Sequence, residues 1–400
     1  MKILYICNEY PPFIHGGIGS FTRDIAEGLA LKGHDVTVWG LYDTVQSVVN
    51  EKINGVTVVR NSYSLVKSRF KHLYFVLYLN RKLNVFLKGQ KFDIIECQEW
   101  QGLLPLGLKH PGYVVRLHGA SVFFDKLLHR RGNRIMHWLE KLTIKKAKNI
   151  VAVSDYCGKV TLDIVGLKKK YTVIYNAINK EKLNKYKNKN FNSFSIVFAN
   201  SVLPKKGIFE LTEAFNMVHQ KFPDATLTIV GKLGYEKDGV NVTKLILDKL
   251  NSVSVCNVNI TGWLVHANDV YRYLANAHIC CYPSHMEGFG IAPLEGMALG
   301  KPVLYMNNGP GPEVIEDGIS GILADCKNSG DIAAKIIEVF EGYIDINIMG
   351  ANAEKRVEKL FDLHTVFIPQ NIAYYKNILG IKTITSPIKT ITSPTIPKKK

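Results

Sequence analysis

The chain is expected to be an α/β protein built from two successive halves, each a parallel, doubly wound sheet. Three observations lead there. Its 400 residues exceed what one compact core of ordinary size holds. Short apolar runs alternate with longer amphipathic stretches from end to end, the pattern of strand and helix in turn. A segment dominated by Lys and Asn, 180–193, has too little apolar content to pack and divides that alternation into two series of similar length. Hydrophobic content of 46% with 21% charged residues is that of a globular protein with material for two cores.

Residues 1–7 form an apolar run ending at Asn8, the first strand. Gly16-Gly17-Ile18-Gly19 reads as a loop, and 20–32 then carries Phe21, Ile25, Leu29 and Ala30 at helical spacing. Residues 35–39 return as a strand and complete a β-loop-α-β unit. Further strands are expected at 56–59, 93–97, 113–117, 149–153 and 171–175. The second series offers strands at 195–199, 226–230, 258–261, 278–282, 302–305 and 321–324. Helices are expected near 207–219, 240–250 and 269–275, after Glu295, after Pro312 and from Asp331. Residues 352–379 read as a closing helical region. The last twenty residues hold a seven-residue duplication, Ile381 to Pro387 and Ile388 to Pro394, and end in three lysines. Such a tail is low in complexity, and disorder is expected of it. The domains are then 1–179 and 194–360, with 180–193 as linker, 361–380 a helical region packing back on the first domain, and 381–400 the tail.

Lys2 followed only by Ile3 to Cys7 is too short for the apolar region of a signal peptide. No window reaches the roughly 20 apolar residues of a membrane helix. A cytoplasmic chain is expected. Seven cysteines lie scattered, with no C-x-x-C pair and no histidine at ligand spacing, so reduced core thiols and no structural metal are expected. The net charge of +17 is uneven. Between 60 and 91 stand eight Lys or Arg and no acid, interleaved with Tyr63, Phe70, Tyr74, Phe75, Tyr78 and Phe86, and between 126 and 148 stand eight more against Glu140 alone. Such segments suit an anionic membrane surface, on the inner face of the cell membrane, or a solvated helix face over a core. No specific nucleic-acid motif accompanies the charge, and no nucleic-acid partner is expected.

The most informative stretch runs from Ser284 to Gly296. It places Glu287 on a loop kept thin by Gly288 and Gly290, after a buried strand, and Glu295 in the first turn of a helix opened by Pro293. Each acid has a plainer reading, Glu295 as a partner of the helix dipole and Glu287 as a solvated loop residue. Together, at the carboxyl end of a strand in an open α/β sheet, they face the expected ligand crevice. Two acids can also serve glycoside hydrolysis, but the duplicated halves and Lys206 argue against it. Lys206 follows the first strand of the second series and precedes a helix, a place from which a cation stabilises charge growing on a leaving phosphate.

This combination resembles the E-x7-E signature of the retaining, nucleotide-sugar-dependent glycosyltransferases of family 4 (group 1). The resemblance spans about residues 1–380. It implies the GT-B architecture, two facing Rossmann-like domains with an interdomain cleft, and a metal-independent transfer of sugar to a glycan or lipid-linked acceptor in cell-surface polysaccharide or glycolipid synthesis. The implied donor is a nucleotide-diphosphate sugar of UDP or GDP type, with no cofactor. Glu287 would meet the sugar hydroxyls and the developing oxocarbenium ion, and Glu295 the ribose. Backbone N–H groups near Phe289, Gly290 and Ile291 would complete the sugar and phosphate contacts. Lys206 matches the lysine of the family's G-R-x-x-x-x-K-G pattern, but Ser201 and Asn200 stand where the arginine and glycine would be. A serine supplies no charge, so Lys205 is a candidate substitute.

Gly16 and Gly17 resemble the family's G-G loop near donor phosphate and acceptor. His118, ending another strand, corresponds to a histidine near the donor sugar. The base is expected against the loop that includes Leu264. Two alternatives stay open: a catalytically impaired sugar-binding or scaffold protein, suggested by Ser201, and an NAD-dependent oxidoreductase. The glycine loop departs from G-x-G-x-x-G, and no acid closes the second strand, Asp43 lying beyond it.

Overall fold

A computed structural model describes residues 1–13, 16–64, 70–103, 110–188, 191–234, 241–264, 266–382 and 390–392. The chain forms two compact units, Met1–Asn176 together with the segment from Leu363 onward, and Ala177–Asp362.

The strands of the first unit are β1 (Lys2–Ile6), β2 (Asp35–Tyr42), β3 (Val49–Ile53), β4 (Val56–Ser62), β5 (Ile94–Gln98), β6 (Tyr113–Leu117), β7 (Asn149–Ala152) and β8 (Lys170–Val173). They lie in the order β8-β7-β6-β5-β1-β2-β4-β3. Every pairing is parallel except β3 with β4 and an antiparallel addition beside β8 by Thr390–Thr392. That addition lies within the tail expected to be disordered. The hairpin from β3 to β4 was also absent from the sequence expectation, because Val49–Ile53 is polar and largely exposed. Its turn is Asn54-Gly55, both at positive φ (47° and 86°), the dipeptide that matches the right-handed twist of a two-residue hairpin.

The first helix, Gly17–Leu31, begins three residues earlier than expected. A Cβ at Gly19 would stand 2.2 Å from the Glu9 carbonyl oxygen, so the missing side chain lets the helix start press onto the end of β1. The closing helix Ile368–Ile378 packs on the other end of this first helix, where a Cβ at Gly28 would meet Ile368 at 2.5 Å. A buried polar network fixes the closing helix to the sheet. Arg116 Nε donates to Glu96 Oε1 at 2.6 Å and Nη2 to Asn371 Oδ1 at 2.6 Å, while Tyr375 donates to Glu96 Oε2 at 2.7 Å. Tyr5 meets Tyr375 hydroxyl to hydroxyl at 2.7 Å. Burial is tolerable because the charges are paired and most polar atoms bonded.

The second unit holds β9 (Ser195–Ala199), β10 (Thr226–Val230), β11 (Val258–Gly262), β12 (Ile279–Cys281), β13 (Val303–Met306) and β14 (Ile322–Ala324), in the order β11-β10-β9-β12-β13-β14. All are parallel. The order reverses between β9 and β12, and in such sheets ligands collect outside the carboxyl ends at the reversal. In the first sheet the reversal lies between β1 and β5.

The segment read as a linker is instead part of the second unit. The chain crosses at Asn176 to Ala177 and returns at Asp362 to Leu363. Residues Lys180–Asn184 form a short helix capped by Asn179, with Leu183 buried. Lys180 pairs with Glu358, and Lys187 with Glu354 at 2.5 Å. Two of the lysines that made the segment look solvated, Lys180 and Lys187, are partners for acids on the helix Ile346–Leu360.

All seven cysteines are free thiols, six of them buried and Cys256 exposed. Among the described residues, no helix is long and apolar enough to cross a membrane.

Candidate functional site

In the second unit, two loops meet at the sheet reversal. After β9 the chain runs through a 3-10 turn, Pro204–Lys206, to Gly207, and after β12 it runs from Tyr282 to the helix Ala292–Ala298. Gly207 has φ of 72°, and a Cβ there would lie 1.8 Å from the Pro283 carbonyl oxygen. The backbone N–H of His285 donates to the Lys205 carbonyl at 3.0 Å. Close approach and hydrogen bond together hold the loops in register, and the result is an ion pair between Lys206 Nζ and Glu287 Oε1. Ser284 Oγ donates to the same oxygen at 3.1 Å.

Behind Glu287 the loop is stiffened from below. Gly290 has φ of 86°, and a Cβ there would meet the Tyr305 hydroxyl at 2.4 Å. That hydroxyl is buried and donates to the Phe289 carbonyl at 2.9 Å. Phe289 itself is a core residue, its ring 5.7 Å from that of Phe361, and Ile291 is half-buried at the helix start, its carbonyl accepting from Leu294 N at 2.9 Å.

Glu295 sits in the first turn of the helix that Pro293 opens, as the sequence suggested. It keeps part of its surface open, yet burial pushes its carboxyl up to about 7. Glu287 has a cation and a hydroxyl on its carboxylate; among the described residues Glu295 has neither. Ser201 is exposed, its backbone N–H held by the Asn200 side chain at 2.8 Å. Leu264 is not brought to this pair. It lines a separate hollow of about 440 Å³ with Thr226, Thr228, Asp269 and Arg272.

In the first unit, Gly16 adopts an extended conformation and caps the first helix, and Gly17 begins it, with open space where a Cβ would be. Phe21, one turn further, meets the His118 ring edge-on at 4.6 Å between centroids. The structure therefore joins the glycine loop to His118, two features far apart in sequence. Burial, with the neighbouring Arg116 charge, pushes the His118 imidazole down to about 3. It is neutral at physiological pH.

The sequence offered no hint of what holds His118 in place. Glu99, fully buried just beyond β5, accepts from the backbone N–H of both His118 and Gly119 at 2.8 Å through one carboxylate oxygen, while the other oxygen has no partner among the described residues. Burial pushes its carboxyl up to about 8. Ser284, which opens the most informative stretch, and Tyr305 also hold contacts that the sequence did not assign to them. Ser284 stands three residues before Glu287, a local signal that was available; Glu99 and Tyr305 act across the sheet and have none. Among the described residues, no three His, Cys, Asp or Glu side chains are grouped to hold a metal ion.

A sheet reversal that presents a lysine and a carboxylate from facing loops, in a chain of two Rossmann-like units, defines the GT-B class of sugar-transferring enzymes. Residues 177–356 match the family model "Glycosyl transferases group 1" and residues 15–182 match "Glycosyltransferase Family 4". The chain belongs to the family 4, or group 1, glycosyltransferases. An uncharacterized glycosyltransferase of Methanocaldococcus jannaschii is 30% identical over 365 residues, covering 90% of this chain and 94% of that protein. Sucrose-phosphate synthase of Thermosynechococcus elongatus has a similar fold, with a TM-score of 0.77 at 17% identity over 95% of this chain and 99% of the other. The Anabaena protein HepE, solved with UDP-glucose, gives 0.69 at 19% identity over 94% and 99%.

Proposed function

We propose that the chain is a retaining, metal-independent glycosyltransferase that moves a sugar from a nucleotide-diphosphate donor to a glycan or lipid-linked acceptor in cell-surface polysaccharide or glycolipid synthesis. The observation that carries this reading is the Lys206–Glu287 pair, set at the sheet reversal by two glycine-shaped loops. In the ligand-free protein each charge neutralises the other. A donor entering there substitutes its diphosphate for Glu287 as partner of Lys206, which releases the carboxylate to the sugar hydroxyls and to the positive charge that grows at the anomeric carbon. Glu295, raised by burial and awaiting a donor group, is suited to the ribose hydroxyls. Retention follows from substitution on one face of the sugar, the leaving phosphate taking the acceptor proton. His118, neutral and fixed by Glu99, is proposed as a further catalytic residue, able to exchange hydrogen bonds with sugar hydroxyls. The Anabaena neighbour solved with UDP-glucose supports a nucleotide-sugar donor.

The test is release of nucleotide from a panel of UDP- and GDP-sugars, with and without EDTA, and thermal shift by the matching diphosphates. Turnover that survives EDTA and disappears in Glu287→Ala is expected. Binding of a nucleotide sugar with no release under any condition favours the second reading, an impaired sugar-binding or scaffold protein, for which Ser201 at the family's arginine position is the specific motive. Stabilisation by NAD alone would favour the oxidoreductase.

The chain is further proposed to work on an anionic membrane surface, on its cytoplasmic side. The helix Lys71–Leu87 exposes Tyr74, Leu77 and Val85 beside Lys71 and Arg81 and carries no acid. The helix Arg134–Lys146 exposes Trp138 among Arg134, Lys141 and Lys145. Exposed aromatics ringed by cations suit the headgroup layer. Sedimentation with phosphatidylglycerol vesicles that disappears with neutral vesicles and weakens at high salt is the expected result.

A further inference from the structure

We propose that Arg116 is a positioning residue for His118, acting through one water molecule held between them in a small polar cavity, and that this water decides which ring nitrogen carries the proton. The cavity, of about 10 Å³, lies among β1, β5, β6 and the first helix, and its lining includes Phe21, Thr22, Glu96, Gln98, Arg116 and His118. This role deepens the proposed function, since it rests on the place given there to His118.

Arg116 and His118 stand two residues apart where β6 ends, so their side chains leave the same face of the sheet. Gln98 is paired beside Arg116 in the register of β5 with β6, and it too is buried. The guanidinium uses one edge fully. Nε and Nη2 donate to the two oxygens of Glu96 at 2.6 and 3.4 Å, and Nη2 also donates to Asn371 Oδ1 of the closing helix. Phe21 lies over the plane, its centroid 5.0 Å from Cζ, and Phe367 stands 6.0 Å from the same atom. The corner left over is Nη1, which is buried and has no partner among the described residues. Because the group is planar, it cannot turn this corner elsewhere without giving up the Glu96 and Asn371 bonds.

A buried donor beside a polar space is satisfied by ordered water when the space is large enough, and about 10 Å³ is room for one. An anion fits poorly, because the Glu96 carboxylate already neutralises the guanidinium and would repel it. Water can also do what an anion cannot, which is to accept from Arg116 and donate onward.

The direction of the bonds follows from the arginine. It can only donate, so the water gives it a lone pair and turns its two protons away, one to Gln98 Oε1 and one to His118. His118 is neutral, so one ring nitrogen accepts and the other donates, and the hydrogen bond at one nitrogen sets the state of the other. The nitrogen that meets the water is the acceptor, and the proton stands on its partner. Since the residue keeps part of its surface open, that N–H is available to an oxygen of the substrate. Glu99 holds the backbone of His118, and Arg116 sets its ring.

Nitrogen-15 NMR of the imidazoles in the full chain reads the tautomer without turnover, the His118 signals being assigned by their loss in His118→Gln. In the wild type at neutral pH the minor tautomer of His118 should stay below about a tenth of the population. Arg116→Lys keeps a cation for Glu96 but lacks Nη1, and should raise the minor tautomer at least threefold. Gln98→Leu leaves the ion pair whole and should raise it at least twofold. With a nucleotide sugar, Arg116→Lys should lower kcat by about tenfold and change the donor KM by less than about twofold. The proposal is overturned if wild-type His118 is an even mixture of tautomers, if a folded Arg116→Lys leaves the ratio unmoved, or, should that variant not fold, if Gln98→Leu leaves it unmoved. Turnover that is lost in His118→Gln while the ratio ignores Arg116→Lys would sink this role and leave the transferase reading standing. A ratio that shifts as expected in a chain that never releases nucleotide would do the reverse.

Discussion

The two sheet reversals of this chain are built from opposite electrostatic materials. In the second unit, the groups at the carboxyl ends of β9 and β12 are full charges that satisfy each other, Lys206 against Glu287. In the first unit, two titratable groups beyond β5 and β6 are kept neutral or near it, His118 pushed down to about 3 and Glu99 pushed up to about 8, while Glu9, Asp43 and Lys71 line a cavity at the carboxyl ends of β1 and β2. A charged pair can exchange partners with a charged ligand, whereas groups held neutral favour a ligand that brings hydrogen-bonding groups without charge. In the proposed reaction the charged pair is the one that can exchange a partner for the donor diphosphate.

The comparison breaks first at Glu287. Glu287→Ala should lower kcat by about 10²–10³-fold, on the scale of losing one transition-state contact, while circular dichroism stays unchanged. Adding Lys206→Ala to it should cost far less than Lys206→Ala alone, because the two act as a unit. Additive losses in that double-mutant cycle would mean that the ion pair has no functional meaning.

Next in size is the register of the two loops. Gly207→Ala forces a Cβ against the Pro283 carbonyl at positive φ and should destabilise the second unit by about 3 kcal/mol, read as a lower denaturation midpoint. Gly17→Ala, where a Cβ meets open space, should change stability by less than about 1 kcal/mol.

Glu295 sharpens the comparison through pH. Its carboxyl stands near 7 in the folded protein against about 4.3 when unfolded, so the folded state holds the extra proton between those values. Stability is therefore lost as pH rises from about 4 to 7, and the loss is complete above 7. Glu295→Gln should raise the stability of the ligand-free protein by about 2 kcal/mol at pH 8, have little effect at pH 4, and weaken nucleotide binding. The same sign holds for Glu99, its window reaching up to about 8. A flat difference between variant and wild type from pH 4 to 8 would refute the assignment.

The smallest expected effect is at Ser201. It is exposed beside the donor loop, so Ser201→Arg should fold normally and lower the donor KM by up to about tenfold, the value of one added charge-assisted contact. An unchanged KM would show that the loop has no place for an arginine.

Much of this was legible in the chain. Alternating apolar runs located the strands of both sheets except β3 and the short addition at Thr390–Thr392, because a parallel strand buried on both faces must be apolar. An edge hairpin carries no such demand, and its signal was confined to Asn54-Gly55. The spacing from Glu287 to Glu295, with Pro293 and two glycines, located the loop and the helix start for local steric reasons. The 180–193 segment misled because charge density reads as solvation until the paired acids, 167 residues away in the case of Lys187 and Glu354, are known.

Residue types, their local spacing and the breaks between elements are properties of neighbouring backbone, and from them the sequence by itself determined the two-sheet class, the E-x7-E loop and the candidate lysine. Tertiary structure alone decided that Lys206 meets Glu287 while Glu295 stands apart. It alone decided that Glu99 holds His118, and that Trp100 and Gln101 share a cavity wall with Asn8 beyond β1 and with Leu41 and Tyr42 of β2. These contacts depend on sheet order, which brings the ends of distant strands together, and sheet order is set by the packing of whole units, which no window of sequence contains.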